Sequence, residues 1–264
     1  MTSWSAGQYE LFAETRNRPC FDLVARIGAS QPRTIVDLGC GNGPLTLSLA
    51  ERWPDAEIIG VDSSAAMIER ARELDRDERV RWIEGDLRDW RAEHEVDIIL
   101  TNAALQWVPD HQQLLGGWLT ALAPGGWFAM QVPGNFGSPS HSLIRELVAG
   151  HPRAVALSGA LRERPVSEPS EYADLLAPHA RHIDVWETTY CQILDPEGEQ
   201  ESPVLEWVKG TALRPILDQL DDTDERETFL SELAARYAEV YPRRPYGVPF
   251  PFRRIFAVAQ VSES

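Results

Sequence analysis

Residues Thr34-Ile-Val-Asp-Leu-Gly-Cys-Gly-Asn-Gly43 pass from a β-branched apolar run into three alternating glycines, and a helical pattern follows at once. A strand that ends in a glycine turn and feeds a helix is the opening unit of a parallel α/β sheet. Glycine there also lets the backbone approach a ligand where a Cβ would clash. The pattern recurs. Strands are expected at Thr34–Leu38, Glu57–Val61, Val80–Ile83, Asp97–Leu100 and Trp127–Gln131, with helices over Leu45–Glu51, Ala65–Leu74 and Gln112–Leu122. The second helix follows the capping residues Ser63-Ser64 and sets Met67, Ile68, Ala71 and Leu74 on one face. The third is expected to stop at Pro124-Gly125-Gly126.

Beyond Gln131 the rhythm changes. Residues 140 to 178 read as short helices broken by Pro152, Pro165 and Pro169. A strand is expected at Ile183–Tyr190, helices over Val204–Leu220 and Asp224–Tyr241, and a last strand at Arg254–Val261. Asp222 with Glu225, or Thr223 alone, would cap the second of those helices. The expected organisation is an N-terminal helical segment (1–29) covering the ligand site and a sheet core (30–132) completed near 182–190 and 252–262. Helical insertions at 133–181 and 191–251 would form a lid over the core.

Composition excludes several classes. The 264 residues carry 41 acidic and 25 basic side chains, a net charge of −16, which argues against nucleic acid as a partner. No apolar run is long enough to span a bilayer, and the N-terminus lacks the basic and apolar regions of a secretory signal. The three cysteines, Cys20, Cys40 and Cys191, have no metal-ligand spacing, so no metal is expected and a cytoplasmic location is. The oligomeric expectation is a monomer or weak dimer.

Three acids follow the first three strands or sit at their ends: Asp37, Asp62 and Asp86. An acid where Asp62 stands can reach ribose hydroxyls. Pro44 occupies the place of the third glycine of a dinucleotide fingerprint, and Asp37 would repel a pyrophosphate but attract an ammonium. A nucleoside with an amino-acid tail suits all three acids: Asp37 near the ammonium, Asp62 on the ribose, Asp86 on the adenine edge. In this the chain resembles the class I S-adenosylmethionine-dependent methyltransferases, whose first motif is D-x-G-x-G-x-G. The resemblance implies a Rossmann-like α/β sheet, mostly parallel with an antiparallel last strand. It implies S-adenosylmethionine held by Asp37, Gly39, Cys40, Gly41, Gly43, Asp62, Ser63, Met67, Asp86, Leu87 and Asn102.

The likeness sharpens outside that motif. Trp4, Tyr9, Phe12 and Arg16-Asn17-Arg18-Pro19 resemble the trans-aconitate methyltransferase family. So do Asn102 to His111, Val132 to His141, Val185 to Tyr190, Thr211 to Pro215 and Phe250 to Arg254. This implies methylation of one carboxylate of a small tricarboxylate, trans-aconitate. A carboxylate ionises near pH 4, so at neutral pH it attacks without a general base. The only lysine is Lys209, so the expected carboxylate-binding cations are Arg16, Arg18, Arg214 and Arg254, with Arg253 a weaker candidate and His111 beside them. Arg16 has an alternative place on the cofactor's carboxylate. Trp107, Tyr190 and Asn135 are expected to orient the reacting carboxylate. Competing readings are a methyltransferase for another carboxylic acid or for a natural-product hydroxyl, which would need His111 or His141 as a base, and a non-catalytic protein that only binds the cofactor. An NAD-linked oxidoreductase is disfavoured by the glycine spacing and Asp37.

Overall fold

The computed structural model describes residues 13–161 and 164–263, with side chains from residue 17 onward. Trp4, Tyr9 and Phe12 lie outside the described residues, as does the side chain of Arg16. In chain order the elements are α1 (Ala13–Val24), β1 (Thr34–Leu38), α2 (Pro44–Arg52), β2 (Glu57–Asp62), α3 (Ala65–Leu74), β3 (Val80–Glu84), β4 (Val96–Asn102), α4 (Gln112–Thr120) and β5 (Leu122–Pro133). There follow α5 (Pro139–Gly150), α6 (Ala154–Ser158), α7 (Pro169–Leu176), β6 (His182–Leu194), α8 (Pro203–Lys209), α9 (Arg214–Leu217), α10 (Thr223–Val240) and β7 (Val248–Gln260).

The strands form one seven-stranded sheet in the order β3-β2-β1-β4-β5-β7-β6. The five strands from β3 to β5 are parallel. β7 runs against β5: Val261 donates to Gly126 and Gly134 donates to Arg253, so numbers rise on one strand as they fall on the other. The antiparallel last strand is therefore present as expected. Parallel strands buried on both faces need near-continuous apolar runs, and β1 and β4 supply them.

The helix starts follow local chemistry. Pro44 opens α2 behind Gly43, whose φ is 91°. Its missing N–H falls where a helix has no acceptor for one. Ser64 caps α3 by accepting from Met67, and Asp222 caps α10 by accepting from Glu225. Elsewhere the expected boundaries shift. Pro124-Gly125-Gly126 does not end α4; it lies inside β5, where Gly125 has φ 77° and the register to β4 jumps between Val96 and Ile98. It is a bulge. The helix expected over Val204–Leu220 is two, α8 and α9.

The described residues divide into two compact units. The first holds 13–132, 166–187 and 254–263; the second holds 133–165 and 188–253. The expected insertion boundary at 181 therefore moves to 165, because α7 belongs to the first unit. Gln112 Nε2 donates to Ser167 Oγ at 3.1 Å, and Tyr172 meets His111 at 2.8 Å. In that unit Trp186 stacks on Phe256 at 4.8 Å, and Arg26 lies over the Trp186 ring while pairing with Asp184. The core of the second unit is aromatic: Trp207 packs on Phe250 and Phe252, and Tyr241 on Phe250. There Tyr237 donates to the Ser140 carbonyl, and the Ser140 amide donates to the Tyr241 hydroxyl, locking α10 to α5.

Candidate active site

The turn after β1 is shaped by what surrounds it. Gly39 has φ 84°, and a Cβ there would lie 2.2 Å from Ala104 Cβ. Leu87 comes within 3.7 Å of the same point. The loops after β1, β3 and β4 thus meet at Gly39, and no side chain fits. Gly43 is closed off by Trp82 and Ala71. Gly41 differs: its φ is 58°, yet nothing stands within 4 Å of where its Cβ would be. That opening is the approach a ligand needs. Cys40 is buried, with Sγ facing Gly60, and burial pushes its thiol pKa up; it packs rather than reacts.

Asp37 is 4% exposed and accepts a 2.7 Å bond from Thr46 Oγ1 on α2. Burial pushes its pKa up to about 6; the Thr46 bond opposes the rise and the nearby Asp62 charge adds to it. Asp62 ties the site together. One oxygen accepts from the Gly41 amide and the other from the Ser64 amide, both at 2.9 Å. Each oxygen keeps a lone pair for a further donor such as a ligand hydroxyl. Ser63 is exposed beside it, and Met67 is half-buried in the first turn of α3. Asp86 is held by Arg88, whose guanidinium reaches it at 2.5 Å, and the pairing drives its pKa down to about 2. Both groups are substantially exposed, and such a pair opens at little cost when a better partner arrives.

At the carboxyl end of β4, Asn102 is followed by Ala103, whose positive φ of 53° turns the chain. The Ala103 amide donates to the Gln131 carbonyl, tying the ends of β4 and β5. Asn102 Oδ1 and Gln131 Nε2 are buried and make no hydrogen bond among the described residues. Trp107 closes the short 3-10 turn Leu105–Trp107 and is 52% exposed, a broad apolar face beyond the strand ends.

His111 is a correction. It is fully buried. A carbonyl can only accept, so Nδ1–H donates to Val108 at 3.3 Å, and Nε2 then accepts from the Tyr172 hydroxyl at 2.8 Å. Both nitrogens are committed, and burial lowers the pKa. The ring fastens α7 to α4 and has no face left for a substrate. Arg18 is exposed on α1 and pairs with Asp22 one turn along the helix. Pro19 lies inside α1. Arg254 is 8% exposed on β7, and Arg253, on the opposite face of the strand, donates to the Gly134 carbonyl.

In the second unit, Asn135 is 3% exposed and its Nδ2 finds no acceptor among the described residues. Tyr190 is buried on β6, and Arg214 stands exposed at the first position of α9. His141 bonds to Ser140 Oγ through Nδ1; burial, helped by the Arg145 charge, pushes its pKa down to about 4. It is neutral and weakly basic at physiological pH.

Comparison with known proteins decides the family. Residues 35–126 match the model of a methyltransferase domain. A Rhodococcus jostii protein named trans-aconitate 2-methyltransferase is 48% identical over 265 residues, covering 98% of this chain and 99% of its own. The chain belongs to the trans-aconitate 2-methyltransferase family. A Streptomyces coelicolor member is 44% identical and covers 99% of this chain and 88% of its own. Solved structures agree in fold. A phosphoethanolamine N-methyltransferase from Haemonchus contortus superposes with a TM-score of 0.57 at 17% identity, covering 94% of this chain and 53% of the other. The YcgJ protein of Bacillus subtilis gives 0.57 at 16%, covering 94% and 100%. The fold is thus that of the class I methyltransferases. Against this family's sheet, two contributors escaped sequence reasoning. Thr46 looked like any helix residue. Gln131 carried a signal, as a lone polar side chain between Met130 and Val132 in an apolar strand.

Proposed function

We propose that this chain transfers a methyl group from S-adenosylmethionine to a carboxylate of trans-aconitate, giving the monomethyl ester and S-adenosylhomocysteine. The observation that carries the reading is likeness to proteins of that name over 98% of the chain, at 48% identity in the first case, so that it spans both units. The first unit fits the cofactor on its own evidence: an open approach at Gly41, lone pairs on Asp62, and a buried acceptor, Asn102 Oδ1, still to be satisfied.

S-adenosylmethionine supplies an electrophilic methyl carbon on a sulfonium. The chain's residues supply position and charge. Asp62, tied to Gly41 and Ser64, accepts from ribose hydroxyls; Asp37 and Asn102 offer acceptors to the ammonium; Asp86 serves the adenine edge once Arg88 swings clear. Ser63, Met67 and Leu87 line the nucleoside.

On the acceptor side, Arg214 and Arg254 hold spectator carboxylates. A guanidinium on the reacting carboxylate would draw off its electron density, so neutral donors orient that group. Asn135 suits the task because its buried Nδ2 has no acceptor among the described residues, and Tyr190 and the Trp107 indole assist. Arg16 keeps its two assignments, substrate or cofactor carboxylate. No base is needed, and neither candidate histidine suits the role: His111 is fully committed, and His141 is pushed down to about 4. The cysteines are all unpaired thiols among the described residues, which suits the reducing cytoplasm we assign to the enzyme. A radiolabelled methyl-transfer assay across di- and tricarboxylates tests the reading. Turnover is expected with trans-aconitate, and no turnover with any acid would reject it.

A further inference from the structure

Among the described residues, two polar groups without hydrogen-bond partners sit on register-paired residues at the carboxyl ends of neighbouring strands. Asn102 Oδ1 is a buried acceptor on β4 and Gln131 Nε2 a buried donor on β5. The two residues are register partners, so their side chains emerge from the same face of the sheet. Asp37 is on that face as well, because it pairs with Leu100, two residues before Asn102. Across β1, β4 and β5 the face therefore reads carboxylate, amide acceptor, amide donor. Gln131 is 1% exposed, and its main-chain carbonyl accepts from the Ala103 amide, which fixes the backbone from which the side chain emerges. Its amide nitrogen cannot turn to bulk water. A buried group left unpaired is costly, so paired orphans of opposite sense point to a ligand that supplies one donor and one acceptor together.

A tricarboxylate at neutral pH offers only acceptors, so it cannot satisfy Asn102 Oδ1. An α-amino acid offers an ammonium and a carboxylate on one carbon. We propose that Asn102 and Gln131 clamp the α-amino-acid end of the cofactor. Asn102 Oδ1 accepts from the ammonium and Gln131 Nε2 donates to the carboxylate, an assignment that rests on the cofactor reading above. The order along the face sets the polarity: the ammonium lies toward Asp37, and the carboxylate lies toward β5, away from that charge. A neutral donor at 131 also offers no cation for the trianionic acceptor to capture in place of the cofactor.

The test is calorimetric binding of two nucleosides, S-adenosylhomocysteine and 5′-methylthioadenosine, which lacks the amino-acid end. Gln131→Leu keeps a similar volume and removes the donor. It is expected to weaken S-adenosylhomocysteine by roughly tenfold or more, as for a lost hydrogen bond to a charged group, and to leave methylthioadenosine within about twofold. Gln131→Glu should weaken S-adenosylhomocysteine further at pH 8 by like-charge repulsion, again sparing methylthioadenosine. Thermal unfolding confirms that each variant is folded. Equal loss of both nucleosides, or loss of neither, would overturn the clamp. So would unchanged S-adenosylhomocysteine affinity with a raised KM for trans-aconitate, which would place Gln131 on the acceptor. Wild-type protein that binds neither nucleoside would overturn the cofactor reading and the clamp together, a result distinct from the others.

Discussion

Asp37→Asn is expected to make the protein more stable and less able to bind its cofactor, and the stability gain should depend on pH. The native carboxyl is buried and its pKa is raised from 3.8 to about 6. Below about pH 4 the group is protonated in both native and unfolded chains. Between about pH 4 and pH 6 the unfolded chain gives up the proton first, so the native state binds more protons and stability falls as pH rises. Above about pH 6 the full cost is present. A shift of about two units corresponds to about 3 kcal/mol at 1.36 kcal/mol per unit. Asparagine removes the charge but retains an oxygen for Thr46. The raised pKa already sets the Thr46 bond against the cost of burial, so nothing further is subtracted. The expected gain is therefore about 3 kcal/mol at pH 8, fading toward zero near pH 4. Urea unfolding of both proteins at the two pH values measures it, with the slope against denaturant checked for equality. A variant less stable at pH 8, or a gain of the same size at both pH values, would refute the reasoning. S-adenosylhomocysteine should bind the variant more weakly, because the ammonium loses its charged acceptor.

The other expectations separate fold from function. Gly39→Ala meets both a positive φ and Ala104 at 2.2 Å, and should cost about 3 kcal/mol or more in a thermal melt. Gly41→Ala meets only the positive φ, so it should cost about 1 kcal/mol while weakening S-adenosylhomocysteine in calorimetry. Tyr172→Phe leaves His111 Nε2 buried without a donor and should destabilise by about 1–3 kcal/mol, with kcat and KM unchanged in steady-state assays. Arg214→Ala and Arg254→Ala should raise the KM for trans-aconitate by about tenfold or more, with little change in the KM for S-adenosylmethionine; equal effects on both would count against the proposed carboxylate contacts.

The parallel half of the fold was legible because its signals are local. β-branched apolar runs, glycine turns and serine caps sit within a few residues of the elements they define, and α3 falls at the expected bounds. Where the sequence misled, a distant partner had the deciding role. Pro-Gly-Gly after Ala123 reads as a helix stop, yet the backbone of 125 and 126 is claimed by residues 261 and 262, which makes it a bulge. β6 and β7 run beyond their expected bounds as neighbouring strands of the sheet. His111 has the look of a site residue at a helix start, and its partner Tyr172 is 61 residues away. The three acids could be assigned to strand ends because Asp37 lies late in β1, Asp62 closes β2 and Asp86 follows β3, each beside a local strand signal. Their occupations could not: that Asp37 would take Thr46, or Asp86 take Arg88, depends on packing that no spacing reports.

Carboxylate methylation can be seen directly in the product. The enzyme is incubated with S-adenosylmethionine carrying a 13C-labelled methyl group and with trans-aconitate, and the mixture is followed by carbon NMR before and after mild alkali. One methyl ester resonance is expected to grow with S-adenosylhomocysteine and to be replaced by methanol on alkaline hydrolysis. A label that stays on the cofactor, or that enters a bond surviving alkali, would contradict transfer to a carboxylate.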